Sequence, residues 1–253
     1  MIKRLRSALL GAAAFLGVSP AFAQGVDDFG PYGGLEHHER HQSPQNVAVE
    51  VRFGPYRPHV DEDLPGTPYK DTFGDSKRWQ GGLEVDWQVL RIHKLLSFGP
   101  GLSWAYTHSS AKAPLASGDG LSAQDTTLAI MPMNLLAVLR FEAIADRTWV
   151  PIVPYIKLGL GTALWWSSIG EESTHYNGEA GKGTSYGYVA AIGAMMRLDQ
   201  LDLTAAASAD ANLGINHFSL FVEYYKSNLN GFGSGATMEV GTSTWAMGLG
   251  FEI

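Results

Sequence analysis

Seven stretches of this chain alternate large apolar residues with small or polar ones at a period of two, and an eighth of similar length is apolar at both parities. The last reads STWAMGLGFEI (243–253). Trp245, Met247, Leu249, Phe251 and Ile253 share one parity, with glycine or a small residue at most positions between them. Successive side chains of a strand point to opposite faces, so such a stretch is a strand with one apolar face. Val47, Val49, Val51 and Phe53 alternate in the same way with Ala48, Glu50 and Arg52. Trp79, Leu83, Val85, Trp87 and Val89 stand against Gln80, Glu84, Asp86 and Gln88, and Phe98, Leu102, Trp104 and Tyr106 against Ser97, Gly99, Gly101, Ser103 and Thr107. Ile152, Ile156, Leu158, Leu160 and Leu164 oppose Tyr155, Lys157, Gly159, Gly161 and Ala163. Residues 184–197 turn Tyr186, Tyr188 and Ile192 one way, and 217–227 set Phe218, Leu220, Val222 and Tyr224 against Ser219, Phe221, Glu223 and Tyr225. The pattern leaves open the register of the fourth run, 125–140, which is apolar on both faces.

Strand length decides between two architectures. Runs of roughly 9 to 15 residues match the ~9–11 that a tilted strand needs to cross a hydrocarbon core, whereas strands of ordinary globular sheets average about 5–6. No water in hydrocarbon satisfies an edge strand, so the sheet must close and the last strand must pair with the first. On this reading 243–253 completes the seam with its apolar parity toward lipid, and the sequence can stop there. The expected fold is all-β: an eight-stranded antiparallel up-and-down transmembrane β-barrel over residues 46–253, its even strand count returning both ends to one side. Connections at 57–77, 109–124, 167–182 and 228–240 are longish and polar and suit the outer side, while 91–96 is short and 141–150 moderate. One inner connection, 198–215, is long and alanine-rich with Gly214 as a stop signal, and it predicts one short periplasmic helix.

The N-terminus points to export. Residues 1–23 (MIKRLRSALLGAAAFLGVSPAFA) begin with Lys3, Arg4 and Arg6, continue through an apolar stretch from Ala8 to Val18, and end in Pro20 and Ala21-Phe22-Ala23. That is the layout of a cleaved signal peptide, with Gln24 the expected mature start. Residues 24–45 are polar, carry Gly and Pro, and read as a flexible segment. Three of the 18 lysines and arginines lie in the leader, leaving 15 against 25 acidic residues, a charge of about −10 that argues against a nucleic-acid partner. The absence of cysteine excludes a disulfide scaffold and thiol chemistry.

The stretches SPQNVAVEVRFGPYRP, GTPYKDTFGD, VPYIKLGLG, GINHFSLFVEYY and GTSTWAMGLGFEI, in this order, resemble a myxobacterial-type family of outer-membrane β-barrel proteins of unassigned function. The resemblance spans roughly residues 42–253 and implies an eight-stranded barrel in a Gram-negative outer membrane. It implies no catalytic residue.

By strand parity Glu50, Arg52, Glu84, Asp86, Lys157 and Glu223 form a lumen polar cluster, with Arg197 and Glu252 on the same side. The interior of an eight-stranded barrel is just wide enough for its side chains. These charges are therefore expected to pair into a plug, and a narrow ion path is the alternative. Trp79, Trp104, Trp166, Tyr224 and Trp245 are the candidate interface aromatics. His217, Ser219 and Glu223 on one face invite comparison with lipid A deacylases. Four residues along one strand, however, separate Ser219 from Glu223 by about 13 Å, beyond the reach of a triad. Glu36, His37, His38, Glu39 and His41 offer zinc or nickel ligands with nothing nearby to fix them. Asp61, Glu62, Asp63, Asp71 and Asp75 offer calcium-type oxygens without the spacing of a calcium loop. The aromatic and proline content of 57–77 predicts that this loop folds over the barrel mouth. The expected protein is non-enzymatic, with no cofactor and no metal, and has a structural or surface-interaction role through its outer loops. Its expected partners are outer-membrane lipids, the barrel-assembly machinery and an extracellular ligand. A lipid A-modifying enzyme or a narrow pore is the alternative.

Overall fold

The alternating runs form eight long strands in the computed structural model: β1 (Val47–Tyr56), β2 (Arg78–Trp87), β3 (Leu96–Pro114), β4 (Leu121–Arg140), β5 (Ile152–Ile169), β6 (Lys182–Arg197), β7 (His217–Asn228) and β8 (Thr242–Glu252). The structure describes residues 46–63, 65–92, 95–114, 120–170, 172–173, 175–176, 179–198, 215–234 and 237–253. The expected signal peptide (1–23), the N-terminal segment (24–45) and residues 199–214 of the expected inner helix lie outside the described residues.

Each strand pairs antiparallel with the next, and β8 returns to β1, with Ala48 opposite Glu252, Val51 opposite Leu249 and Phe53 opposite Met247. Two more hydrogen bonds finish the seam: the Ile253 amide donates to the Val47 carbonyl at 2.8 Å and the Val47 amide to the Ile253 carbonyl at 3.2 Å. The sheet is thus a closed eight-stranded barrel. Its outward parity is apolar and exposed, including Leu83, Val85, Leu102, Leu158, Leu160 and Met247, while Glu50, Glu84, Asp86, Lys157 and Glu223 are buried inside. A closed antiparallel barrel with an apolar outer belt and a polar interior is an outer-membrane barrel, and the protein resides in the outer membrane. No helix among the described residues is long and apolar enough to span a membrane, so crossing is by strands.

Strand β4, unresolved by pattern, turns Asn134, Leu136, Val138 and Arg140 inward. Two outer connections are shorter than the polar stretches predict, because strand pairing continues past the apolar alternation. β3 reaches Pro114 and β4 starts at Leu121, with Lys112 opposite Asp125, and β5 continues to Ile169. The described helices also sit elsewhere than at 198–215: α1 (Val60–Asp63) and α2 (Pro68–Phe73) lie in the outer connection 57–77, and α3 (Ala143–Arg147) lies in the inner one after β4.

The outer connection folds onto the mouth, as its composition predicts. Val60 and Tyr69 are buried with Tyr56, Ile130, Leu229 and Val240 in an apolar cluster filling the upper lumen. The Tyr56 hydroxyl donates to the Val240 carbonyl, and the Tyr69 hydroxyl lies 3.2 Å from Ser109 Oγ. The Asp61 carboxylate accepts the amides of Tyr69 (2.7 Å) and Lys70 (3.1 Å), which fixes the start of α2. Asp75 is braced by Arg57 and Lys70, each at 3.0 Å, and the hydrogen bond from Lys70 holds its carboxyl below the ordinary value.

Because Leu158 faces hydrocarbon near mid-strand, a Leu158→Arg substitution is expected to destabilise the barrel by about 2–4 kcal/mol. Guanidinium titration of the protein folded in vesicles measures it; an unchanged midpoint would remove the lipid-facing assignment of this wall.

Candidate functional site: the lumen network and the outer wall

The register of β1 against β2 creates an electrostatic problem. It sets Glu50 directly opposite Glu84, both inward and both fully buried. Like charges facing each other across a ladder repel. Lys157, from β5 on the far wall, answers this: its Nζ donates to Glu50 Oε2 at 2.7 Å and to Glu84 Oε1, and lies 3.6 Å from Glu223. Arg52 pairs with Glu84 and Glu223, and Arg140 pairs with Asp86, with Glu50 at 3.1 Å and with Glu252 at 3.8 Å. Glu50, Glu84, Asp86 and Glu223 exceed Arg52, Arg140 and Lys157 by one charge, and the Tyr155 hydroxyl adds a neutral donor to Glu223 Oε2 at 2.9 Å.

Small residues leave room for these chains. Gly193 lies opposite both Glu223 and Tyr155, and a Cβ there would sit 2.7 Å from the Glu223 Cβ and from the Tyr155 ring. Gly101, opposite Asp86, likewise yields its place to the carboxylate. Toward the inner rim Arg197 pairs with Asp146 of α3 at 2.5 Å, and Gln88 donates to Glu252 at 3.2 Å. Between the ionic network and the apolar cap lies a chamber of about 30 Å³, lined by Arg52, Gln80, Ser103, Asn134, Tyr225 and Thr244, with room for about two waters.

Carboxylate oxygens of Glu50, Glu84 and Asp86 lie within 4.8 Å of one another, close enough for a metal ion. Lys157 and Arg140 already hold that space, so an added cation would have to displace them. The described loop carboxylates are engaged locally: Asp71 accepts the Thr67 hydroxyl at 3.0 Å, Asp61 caps α2, and Asp75 meets its two cations. Glu36, His37, His38, Glu39 and His41 lie outside the described residues, as does the Asp63 side chain.

His217, Ser219 and Glu223 all face inward at different heights. Ser219 Oγ donates to the Gly250 carbonyl at 3.3 Å, and Glu223 is held by Arg52 and Tyr155, so serine and carboxylate do not meet. Trp79, Trp104, Trp166, Tyr224 and Trp245 face outward and are exposed. Three participants are absent from the sequence-derived cluster. Arg140 and Asn134 share the even parity of β4 and are its polar signal, while Tyr155 lies on the parity of Lys157. Trp149, 90% exposed in the inner turn after α3, is a further outward aromatic.

No protein-family model and no curated protein matches this chain. Among solved structures it is similar to the outer membrane protein OprG from Pseudomonas aeruginosa (15% identity, TM-score 0.45, covering 84% of this chain and 97% of that one). It is also similar to Ail, the attachment invasion locus protein of Yersinia pestis, in complex with the heparin analogue sucrose octasulfate (13% identity, TM-score 0.43, 83% and 97%). A third is the outer membrane enzyme PagL (14% identity, TM-score 0.38, 81% and 99%). Likeness at this level carries no statement about activity.

Removing the cation at the centre of three buried carboxylates should be costly. Lys157→Met is expected to destabilise the barrel by about 3–5 kcal/mol, and a second change, Glu50→Gln, to recover part of that loss. Denaturant titration of the two variants in detergent micelles checks it; additive losses would mean that Lys157 and Glu50 are not coupled.

Proposed function

We propose that this protein is a non-enzymatic outer-membrane barrel that acts through its outer surface, with a structural or surface-interaction role, and that it belongs with the barrels of unassigned function its motifs resemble. The observation that carries this reading is the double filling of the lumen. The lower half holds the ionic network and the upper half holds the apolar cap built from Tyr56, Val60, Tyr69 and Val240. Among the described residues the space between them is a chamber of about 30 Å³, too small for a conduit. With the interior committed to packing, the loop braced by Asp61 and Asp75 is the fixed feature offered to the outside, and an extracellular ligand is its partner in this reading. The inward Ser219, bonded to Gly250 and remote from Glu223, supports the non-enzymatic assignment over a lipid A-modifying one.

Two measurements test the proposal together. Planar bilayers containing the purified protein should show no current steps, and lipid A from cells expressing it should keep its acyl-chain masses. Discrete conductance would favour the pore, and a lost acyl chain the enzyme. The loop itself gives an independent expectation. Tyr69→Ala should expose 57–77 to protease on intact cells while the barrel keeps its heat-modifiable migration on gels; unchanged resistance would mean that Tyr69 does not hold the loop down.

A further inference from the structure

The outward positions of β7 are apolar or aromatic from Phe218 to Tyr224, and then Lys226 follows. Lys226 is exposed and has no ion-pair partner among the described residues. It stands nine residues beyond His217, the inner start of β7, or about 30 Å along the strand at ~3.3 Å per residue. After strand tilt of ~35–45°, that height is near the outer edge of an apolar band about 25 Å tall. Its cross-strand neighbours are Ala190 on β6 and Ser243 on β8, both small, so the ammonium stands in a gap on the wall.

Two aromatic pairs frame this gap. On the outer side is Tyr188, with the Phe232 ring edge-on to it at 4.6 Å between centroids; on the inner side are Tyr224 and Trp245, edge-on at 5.5 Å. Phe232 belongs to the connection after β7, yet it lies on the wall rather than over the mouth. Its φ of 58° is left-handed, a conformation that side chains other than glycine rarely adopt, and it sits between Gly231 (φ 69°) and Gly233 (φ 80°). The Gly231 amide donates to the Tyr186 carbonyl at 2.8 Å and ties the turn to β6. The backbone thus accepts an unfavourable conformation in order to lay an exposed ring beside Tyr188, and such outliers concentrate at ligand-binding positions.

We infer that the outer edge of the β6–β8 wall binds the phosphate-bearing head group of lipid A. Lys226 contacts the phosphate, and Tyr188, Phe232, Tyr224 and Trp245 bracket the sugar. A lysine facing hydrocarbon extends its ammonium toward the interface, where phosphate is the available counter-ion. Asn228 and Ser243, outward on either side of it, add neutral donors. The level of the site selects lipid A over a phospholipid, because the outer leaflet is where lipid A resides. The inference goes beyond the loop-mediated role proposed above and rests only on the barrel's orientation, so it can fail while that role stands.

The test uses the full chain in phosphatidylcholine nanodiscs doped with equal amounts of bisphosphorylated lipid A and phosphatidylglycerol, with retained lipids counted by native mass spectrometry. Wild-type protein should retain lipid A in preference to phosphatidylglycerol. Lys226→Gln should lower that retention about fivefold and Lys226→Arg should restore it. Phe232→Gly, which relieves the left-handed strain and removes the ring, should weaken retention with no loss of folded barrel on gels. Lipid A stripped of phosphate should be held equally by wild type and Lys226→Gln. Undiminished retention by Lys226→Gln, or preference for phosphatidylglycerol, would overturn the assignment.

Discussion

Every backbone amide at membrane depth needs a partner inside the protein, and here that requirement rests on one seam, between β1 and β8. The other ladders join strands adjacent in the chain; this one joins residues near 50 to residues near 250. The inner rim extends it, with the Ile253 carbonyl accepting the amides of both Asn46 and Val47 at 3.2 Å. Closure at eight strands fixes the parity of each strand and leaves an interior only as wide as its side chains. The ionic network and the apolar cap are two ways of filling that interior. Near the inner rim charges can pair across the lumen, and near the mouth the outer connection can supply apolar residues.

Buried ion pairs are weak contributors to stability, because desolvation offsets most of the attraction. Their effect here is on register. Slipping β2 by one residue against β1 would turn Glu84 and Asp86 into hydrocarbon and Leu83 and Val85 into a charged lumen. The three cations come from β1, β4 and β5, and their partners lie on β1, β2, β7 and β8, so one slipped strand leaves charges unpaired on several others. Aliphatic packing alone would tolerate such slippage far better than this network does.

This division also governs what the sequence reveals. Strand identity, parity and closure are legible because lipid imposes a strict period of two on one face. The inward placement of Glu50, Arg52, Glu84, Asp86, Lys157 and Glu223 follows from that parity alone. Strand β4 is opaque because Leu128 and Ile130 fill the upper lumen and Leu136 and Val138 carry the same apolar cluster down to the level of the ionic network, so both faces are apolar for different reasons. The ends of β3, β4 and β5 are missed where pairing continues above the membrane. There Ser110, Thr126 and Ser168 keep the ladder without any apolar parity to announce it. Which charge meets which is also illegible, since Lys157 and Glu50 are 107 residues apart and touch only across the closed lumen.

The surface role proposed above rests on the outer connection 57–77. Its apolar anchors, Val60 and Tyr69, already fill the mouth. Even so, Arg57, Lys70 and Asp75 are joined at 3.0 Å although their side chains remain substantially exposed, where such pairs contribute little to stability. What these pairs do is restrict geometry: with Asp61 capping α2, they hold two short helices in a set orientation at the barrel mouth. Ordering an exposed loop costs conformational entropy that the barrel itself has no need to lose. On the proposed reading that order is used at binding, because a preformed loop meets its partner already in the binding conformation.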